Sequence, residues 1–315
     1  RSCGGFLSTA NVGGSSLVIN SVEDYEGGYY DGTASWDYAS RSIGTVGNAI
    51  KVVAIDSGAN QQITLANSLA GGAQAGSLLE NTTATKSAYI HKVDGVKVDL
   101  IWVSGGAWTT TDIVNDGSSP DIAINAVADW YDSQEIMPGL NCNQVAPQPG
   151  TSQHVADRGG SNDEMHIVVV DVTGGVTGTP NTVLEKFLYV SKASDGKSSE
   201  GSLVYYPEVI LNTSNYIYWG SHDNELIWDV GSNALESNSN FGGNSTTAFD
   251  VLGEKEYVLS GGVDDFTLTQ GEIISGYDFF ADPETVMVDY LIMGGGGATE
   301  TESKAKANKL ISIAG

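Results

Sequence analysis

The 315-residue chain is poor in the residues that carry most protein chemistry: it has two cysteines, four histidines and seven prolines. It also has only 14 lysines and arginines against 39 aspartates and glutamates. Cys3 and Cys142 are too few for a disulfide framework or a four-cysteine metal site. Nothing local pairs them, so they read as free thiols of a reducing compartment. With so little proline, the 40 glycines belong neither to a collagen repeat nor to a proline-rich linker. The shortage of cations leaves a formal net charge of −25. Such a surface repels phosphate backbones and anionic lipid, which argues against nucleic-acid and membrane-surface roles. No stretch approaches the roughly 18 apolar residues of a membrane-spanning helix. The strongest run, Val286 to Met293, is broken by Asp289 and followed by four glycines. Neither end carries a targeting pattern, and both read as cuts through a longer polypeptide.

Catalytic signatures are missing too. There is no Gly-x-Ser-x-Gly nucleophile elbow and no His-Glu-x-x-His. His91, His154, His166 and His222 are scattered without the spacing of zinc ligands. The Asp163-Glu164-Met165-His166 cluster reads as the solvated start of a strand rather than a cation site. Gly294–Gly297 stands where a phosphate loop would stand, but it lacks Gly-Lys-Ser/Thr, and Thr299 occupies the place of the third dinucleotide glycine. Gly196-Lys197-Ser198 has Ser191 where that loop's first glycine belongs, and Asp195–Glu200 lacks the alternating oxygen ligands of an EF-hand. Among 39 acidic residues no acid–base pair can be singled out. Tyr29-Tyr30, Trp36-Asp37-Tyr38 and Trp130-Tyr131 could line a sugar groove, although core or interface packing is the commoner use of such residues. The sequons at Asn81, Asn212 and Asn244 matter only in a secretory pathway, which nothing supports. The expectation is a protein with no catalytic, cofactor-binding or metal-binding residue, and no cofactor.

What is present builds a core. Hydrophobic residues make up 40 % of the chain and aromatics 9 %, enough for one long domain or two to three ordinary ones. Residues 1–45 are rich in Gly, Ser and Tyr, with Glu26–Gly32 as a loop signal. Ala49–Ile55 is a short buried strand, and 56–85 reads as loop with weak elements. Tyr89–Val93 and Val96–Trp102 flank Asp94-Gly95, which predicts a hairpin with a type I′ turn. Residues 104–160 are again loop-rich. His166–Asp171 and Thr182–Val190 form the best strand pair, with Val183, Glu185, Phe187 and Tyr189 on one face of the second strand. A flexible run, 191–201, leads to a short helix opened by Tyr206-Pro207, then to a strand at Tyr216–Trp219 and an Asn/Ser/Gly loop at 231–249. Capping boxes at Thr269/Glu272 and Thr299/Glu302 start two helices around a buried strand at 286–293. Ala307, Leu310, Ile311 and Ala314 form the last helix's apolar seam.

Several long runs resemble the tail sheath protein of contractile-tailed phages. They are Pro147–Ser152, Asp157–Asp171, Gly178–Asp195, Tyr216–Trp219, Leu259–Val263, Gly276–Ile292 and Val46–Val52. The likeness is greatest to sheaths of large myoviruses that infect cyanobacteria. It extends over Trp36–Ile55 and Pro147–Gly315 and is thin from Asp56 to Ala146. The resemblance implies an α+β, multi-domain fold in which β-rich sandwich- or barrel-like domains lead into a truncated α/β core domain. The expected divisions are 1–45, a β-rich domain at 46–255 with a protruding insertion at 56–146, and 256–315. It further implies a virion subunit, assembled in the host cytoplasm, that stacks on copies of itself as six-fold rings around a tail tube protein. Baseplate and tail terminator proteins are the other expected partners, with neither nucleic acid nor membrane among them. A polysaccharide hydrolase and a β-rich carbohydrate-binding or adhesin module are the alternatives.

Overall fold

The computed structural model describes residues 8–10, 17–19, 21–70, 73–117, 120–222, 226–229, 234–237, 240–264, 269–282, 288–295 and 299–314. In chain order these form β1 (Ser8–Ala10), α1 (Val22–Gly28), β2 (Tyr38–Ile43), β3 (Ile50–Ile55), β4 (Gln61–Leu65), β5 (Leu78–Asn81), β6 (Ser87–Asp94), β7 (Lys97–Ser104), β8 (Ile113–Asn115) and β9 (Ile122–Asp129). There follow α2 (Trp130–Ser133), β10 (Glu135–Met137), β11 (Leu140–Asn141), α3 (Gln153–Ala156), β12 (Glu164–Asp171), β13 (Thr182–Ser191), α4 (Tyr206–Thr213) and β14 (Ile217–Trp219). The remainder is β15 (Leu226–Asp229), β16 (Ala234–Ser237), β17 (Glu254–Val258), α5 (Gln270–Asp278) and α6 (Glu300–Ala314). The chain is thus mixed α/β and strand-rich.

A four-stranded antiparallel sheet, ordered β13-β12-β3-β17, lies at the centre. The apolar runs of β3 and β12 are buried on both faces, which is why they read as unbroken hydrophobic stretches. Successive side chains still alternate. Val52, Ala54, Ile167 and Val169 pack with Tyr206 and Ile210 of α4, Trp219 of β14 and Phe241. Val53, Ile55, Val168 and Val170 pack on the opposite face with Trp130, Tyr131, Ile136 and Cys142. A fully buried aliphatic side chain of this kind stabilises by about 1.5–3 kcal/mol. β1, β2 and β14 form a second sheet beside the first face.

Between the neighbouring strands β3 and β12 the chain makes an excursion whose strands the local pattern mostly does not announce. Residues read as loop with weak elements at 56–85 and as loop-rich at 104–160 contribute to a closed six-stranded barrel, β4-β7-β6-β5-β8-β9. It has its own core of Ile63, Leu65, Leu79, Ile90, Val98, Leu100, Trp108, Val114 and Ile124. Closure removes every free edge, so short strands such as β5 and β8 persist without long apolar runs. The expected hairpin is β6–β7, but Asp94 pairs with Lys97 and the turn residues are Gly95 and Val96. Positive φ falls on Gly95 alone (+61°), the type II′ pattern rather than type I′.

Five further expectations are corrected. The loop signal at Glu26–Gly32 is partly α1, capped by the Ser21 hydroxyl, which accepts from Asp24 N–H. The strict alternation expected in β13 fails: two register shifts against β12 bring Leu184, Phe187 and Val190 into one cluster, and Tyr189 takes φ +53° at the first irregularity. Part of the 231–249 loop is β16, which pairs with β15. Both C-terminal helices start at their capping boxes, but no strand forms over 288–293, while 286–287 lie outside the described residues. A strand needs a partner for its peptide groups, and none of the described residues supplies one. In α6 the buried seam is Lys306 and Leu310, with Ile311 turned to solvent.

The run 191–201, expected to be flexible, contains a fully buried charge near its start, Lys192. Lys192 and Asp56 are 0 % and 1 % exposed, with Nζ 2.6 Å from Oδ2. Lys192 Nζ also donates to the carbonyls of Asn162 (3.0 Å) and Asp250 (2.8 Å), and it lies 4.8 Å from the centre of the Phe241 ring. Asp56 accepts from Leu252 N–H (2.8 Å) and Gly253 N–H (2.7 Å). Removing one partner of such a pair leaves an uncompensated charge, which costs roughly 3–5 kcal/mol. Lys192→Met is therefore expected to lower unfolding free energy by about that amount in urea titration. A loss below about 1 kcal/mol would show that the pair is not needed.

Candidate functional site

The structure disperses the residues that looked chemical in the sequence. The Asp163–His166 cluster is buried rather than solvated, because β12 runs into the core at that point. Asp163 accepts from Ser152 N–H (2.8 Å) and from the hydroxyls of Ser152 (2.9 Å) and Ser191 (2.6 Å). His166 Nδ1 accepts from Tyr189 N–H (3.0 Å), so Nε2 carries the ring proton and donates to the Pro147 carbonyl (2.8 Å). Burial pushes the His166 pKa down and that of Glu164 up. This is a joint that holds the irregularity of β13 in place, with Asp163 and His166 buried and Glu164 half-buried.

Of the aromatic candidates, Trp36, Tyr38, Trp130 and Tyr131 are core residues, while Tyr29 and Tyr30 are half-buried against the core. Trp36 and Trp130 are both buried, so neither presents a ring to a sugar. Trp130 instead donates to Asp99 Oδ2 (3.0 Å), and Tyr30 donates to Glu208 (2.8 Å). Cys142 is a buried thiol whose pKa burial raises to about 12, so it is not a nucleophile. Cys3 lies outside the described residues, as do Gly296 and Gly297 of the glycine run. Gly295 accepts at its carbonyl from Lys306 Nζ (2.9 Å), so this loop supports α6. Among the described residues no three His, Cys, Asp or Glu side chains converge on a metal position. None of the described helices is long and apolar enough to cross a membrane.

His222 sits in an aromatic pocket of Tyr205, Tyr206, Trp219 and Phe241. Trp219 Nε1 donates to the Tyr206 hydroxyl (3.2 Å), which lies 2.5 Å from His222 Nδ1, while Nε2 is 3.1 Å from the Tyr205 hydroxyl. Every group is satisfied when Tyr206 donates to Nδ1 and the Nε2 proton goes to Tyr205. Burial lowers the His222 pKa to about 4, so the ring is neutral near pH 7.

Among the described residues, two open surfaces stand out. One is a polar cleft of about 260 Å³ between the barrel and the central sheet, lined by Gln62, Lys92, Asp99 and Glu135 among others, with Glu254 of β17. Asp99 is held by Gln62 Nε2 (2.8 Å) and Trp130 Nε1 (3.0 Å). Glu254 meets Lys92 Nζ at 3.4 Å, and its other oxygen, Oε1, is buried without a partner among the described residues. The second surface is the C-terminal unit. There α5 and α6 are tied by Gln270 donating to the Glu302 carbonyl (2.7 Å) and by the Lys309–Asp278 ion pair. Tyr290 and Ile292, between them in sequence, stand 88 % and 82 % exposed, and Phe279 and Ile311 of the same unit are also exposed. Scattered apolar side chains are ordinary on a surface; a concentration of large ones in one unit marks a contact region.

No protein-family model, curated protein or solved structure matches the chain.

The sequence named His222 without its role, and it did not single out Asp56, Lys192, Glu254 or Lys92. Those residues come together across 136 and 162 positions, a separation no local pattern encodes. The histidine burial has a measurable consequence. Below pH 6.5 the unfolded chain protonates His222, whereas the folded chain resists until about pH 4, so stability falls with pH across that window. His91 and His166, also lowered by burial, act in the same direction. Glu164 and Glu254, raised by burial, act oppositely. His222→Gln is expected to flatten the decline between pH 6.5 and 4 by up to about 1.4 kcal/mol per pH unit, read from urea midpoints. Identical slopes for the two proteins would refute the assignment.

Proposed function

We propose that the chain is a structural subunit of a phage contractile tail sheath. In this reading it polymerises as stacked hexameric rings around a tail tube and contracts to drive the tube through the host envelope. The observation that carries the reading is the exposed apolar side chains of the C-terminal unit, where none of the described residues covers Phe279, Tyr290, Ile292 or Ile311. A subunit that works only in an assembly keeps such a surface for its neighbours, and a repeated, non-closing contact between copies generates a helical array. No cofactor enters, since the energy of contraction would lie in a metastable packing of subunits.

The fold supports the reading in a second way. The segments that resemble sheath proteins include β3, β12, β13 and β14, the framework of the central region, whereas 56–146, where resemblance is thin, contains the inserted barrel. We read this as a multi-domain subunit with a sheath-type framework, a protruding barrel and the beginning of an α/β core domain. The carbohydrate-binding alternative loses the two tryptophans, Trp36 and Trp130, on which it would have relied.

Electron microscopy of the particle that contains this chain tests the identity directly: a striated, contractile sheath is expected, and a chain located elsewhere in the particle would overturn it. Ile292→Asp combined with Tyr290→Ser is expected to abolish polymer in sedimentation while shifting the thermal midpoint by no more than a few degrees, because both side chains are exposed. Polymer formation equal to the native chain would refute the role given to this surface. The barrel at 61–129 is expected at larger radius than residues 269–314, and limited proteolysis of the particle should cut the barrel's loops first. A map with the barrel against the tube, or cleavage confined to 269–314, would reverse that orientation.

A further inference from the structure

We propose that the seam between the barrel and the central sheet is a proton-sensitive hinge. His91 of β6 holds the barrel against the start of β17 while its ring is neutral, and protonation of the ring releases that contact. Ile90 points into the barrel core, so the alternation of the strand turns its neighbour His91 outward, toward the sheet. There the ring meets two glycines. A Cβ on Gly58 would come within 2.9 Å of His91 Nε2, and one on Gly253 within 2.4 Å. Trp130 lies beside the ring in an edge-to-face arrangement, with centroids 6.1 Å apart. Among the described residues the ring has no hydrogen-bond partner. A neutral imidazole fits this place with its single proton on Nδ1 and a bare Nε2 against the glycines. An imidazolium carries protons on both nitrogens, so its Nε2–H would press against backbone with nothing to accept it. Swinging the barrel away lets water solvate that donor.

The charged groups around the ring fix the sign. Burial lowers the His91 pKa; Asp99 of β7 and Asp56 after β3 pull the other way, and Lys92 adds to the lowering. Asp56 is engaged by Lys192, and Asp99 by Gln62 and Trp130, so neither carboxylate turns to the ring. From α2 the ring is faced by the uncharged Trp130. The seated form is therefore fully favoured above the free histidine value of about 6.5 and loses ground as the pH falls through the lowered one. Glu254 of β17, whose pKa burial raises, acts in the opposite sense. The tethers allow motion on one side. Trp130 packs in the apolar cluster on the sheet and donates to Asp99 of the barrel (3.0 Å), which makes it the pivot. Away from it, the barrel reaches β17 through His91 at Gly253 and through Lys92 and Glu254, 3.4 Å apart with the lysine 54 % exposed. A contact that long and that exposed is a weak tie once His91 has left.

Spin labels on Val103→Cys of β7 and Val258→Cys of β17, both exposed positions, report the barrel-to-sheet distance in the full chain by pulsed dipolar spectroscopy. Cys3→Ser supplies the background, and the buried Cys142 stays unlabelled. One distance is expected at about pH 7.5, with a second appearing on titration to about pH 4.5. The ratio of the second population to the first should rise by up to about tenfold per pH unit, the slope of a single proton. His91→Phe should abolish the rise. His91→Gln, which keeps a polar side chain without the charge, should do the same and serves if the first variant fails to fold. Far-ultraviolet circular dichroism should stay constant over the range. The hinge is overturned by a single distance at every pH, by an equal rise in either variant, or by a loss of circular dichroism with the same midpoint.

Discussion

A lysine and an aspartate buried together can remain charged only while the surrounding backbone keeps its peptide groups aimed at them. Lys192 and Asp56 need the carbonyls of Asn162 and Asp250 on one side and the N–H groups of Leu252 and Gly253 on the other. Asp56 follows β3, Lys192 follows β13, Asn162 precedes β12 and Gly253 precedes β17, so the network touches the ends of all four strands of the central sheet. Moving any of these segments leaves charge or peptide groups buried and unpaired, at several kcal/mol. A buried pair adds little net stability compared with an apolar filling, so its contribution here is one of register.

That register extends to the barrel. Gly253, at φ +76°, brings its backbone against the His91 ring of β6, and a Cβ on Gly58 would lie 2.9 Å from the Trp130 ring. The two glycines face each other where the chain leaves the sheet and where it returns to it, so no side chain separates the barrel from its seat. The same tight seating on one side leaves the polar cleft on the other, with Glu254 one residue beyond Gly253. The ion pair, the barrel's position and the cleft are therefore one structural arrangement.

How much of this could be read in advance depended on distance along the chain. The capping boxes at Thr269/Glu272 and Thr299/Glu302 are local, and both helices start there. The apolar runs of β3 and β12 were equally legible, because a strand covered on both faces needs no polar alternation. The barrel was not, since strands of three to five residues such as β4, β5 and β8 are stabilised by closure rather than by their own pattern. The apolar stretch 288–293 misled for the opposite reason: its composition suits a strand, but strand formation depends on a partner that the sequence cannot specify. Lys192 was read as part of a flexible run because Ser191, Ala193 and Ser194 around it are small, and its burial follows from Asp56, 136 residues earlier.

An acidic chain that associates with itself must overcome its own field. With a net charge of −25, like-charged subunits repel over about a Debye length, some 8 Å at physiological ionic strength. Attraction between copies must then come from a term that does not weaken with charge, and burial of apolar surface at roughly 25 cal/mol per Å² is such a term. In the proposed sheath role, the large exposed side chains of the C-terminal unit would supply that surface. Only 17 % of residues are charged, so the field is made by a scarcity of cations, and each lysine or arginine that meets a carboxylate across an interface has a disproportionate effect on it. A polymer held by apolar contacts and opposed by diffuse repulsion has two opposing terms that respond differently to spacing: contact energy vanishes within a few ångströms, while the screened repulsion decays over about 8 Å. Such a balance gives one bound spacing, at apolar contact, behind a repulsive barrier that added salt lowers.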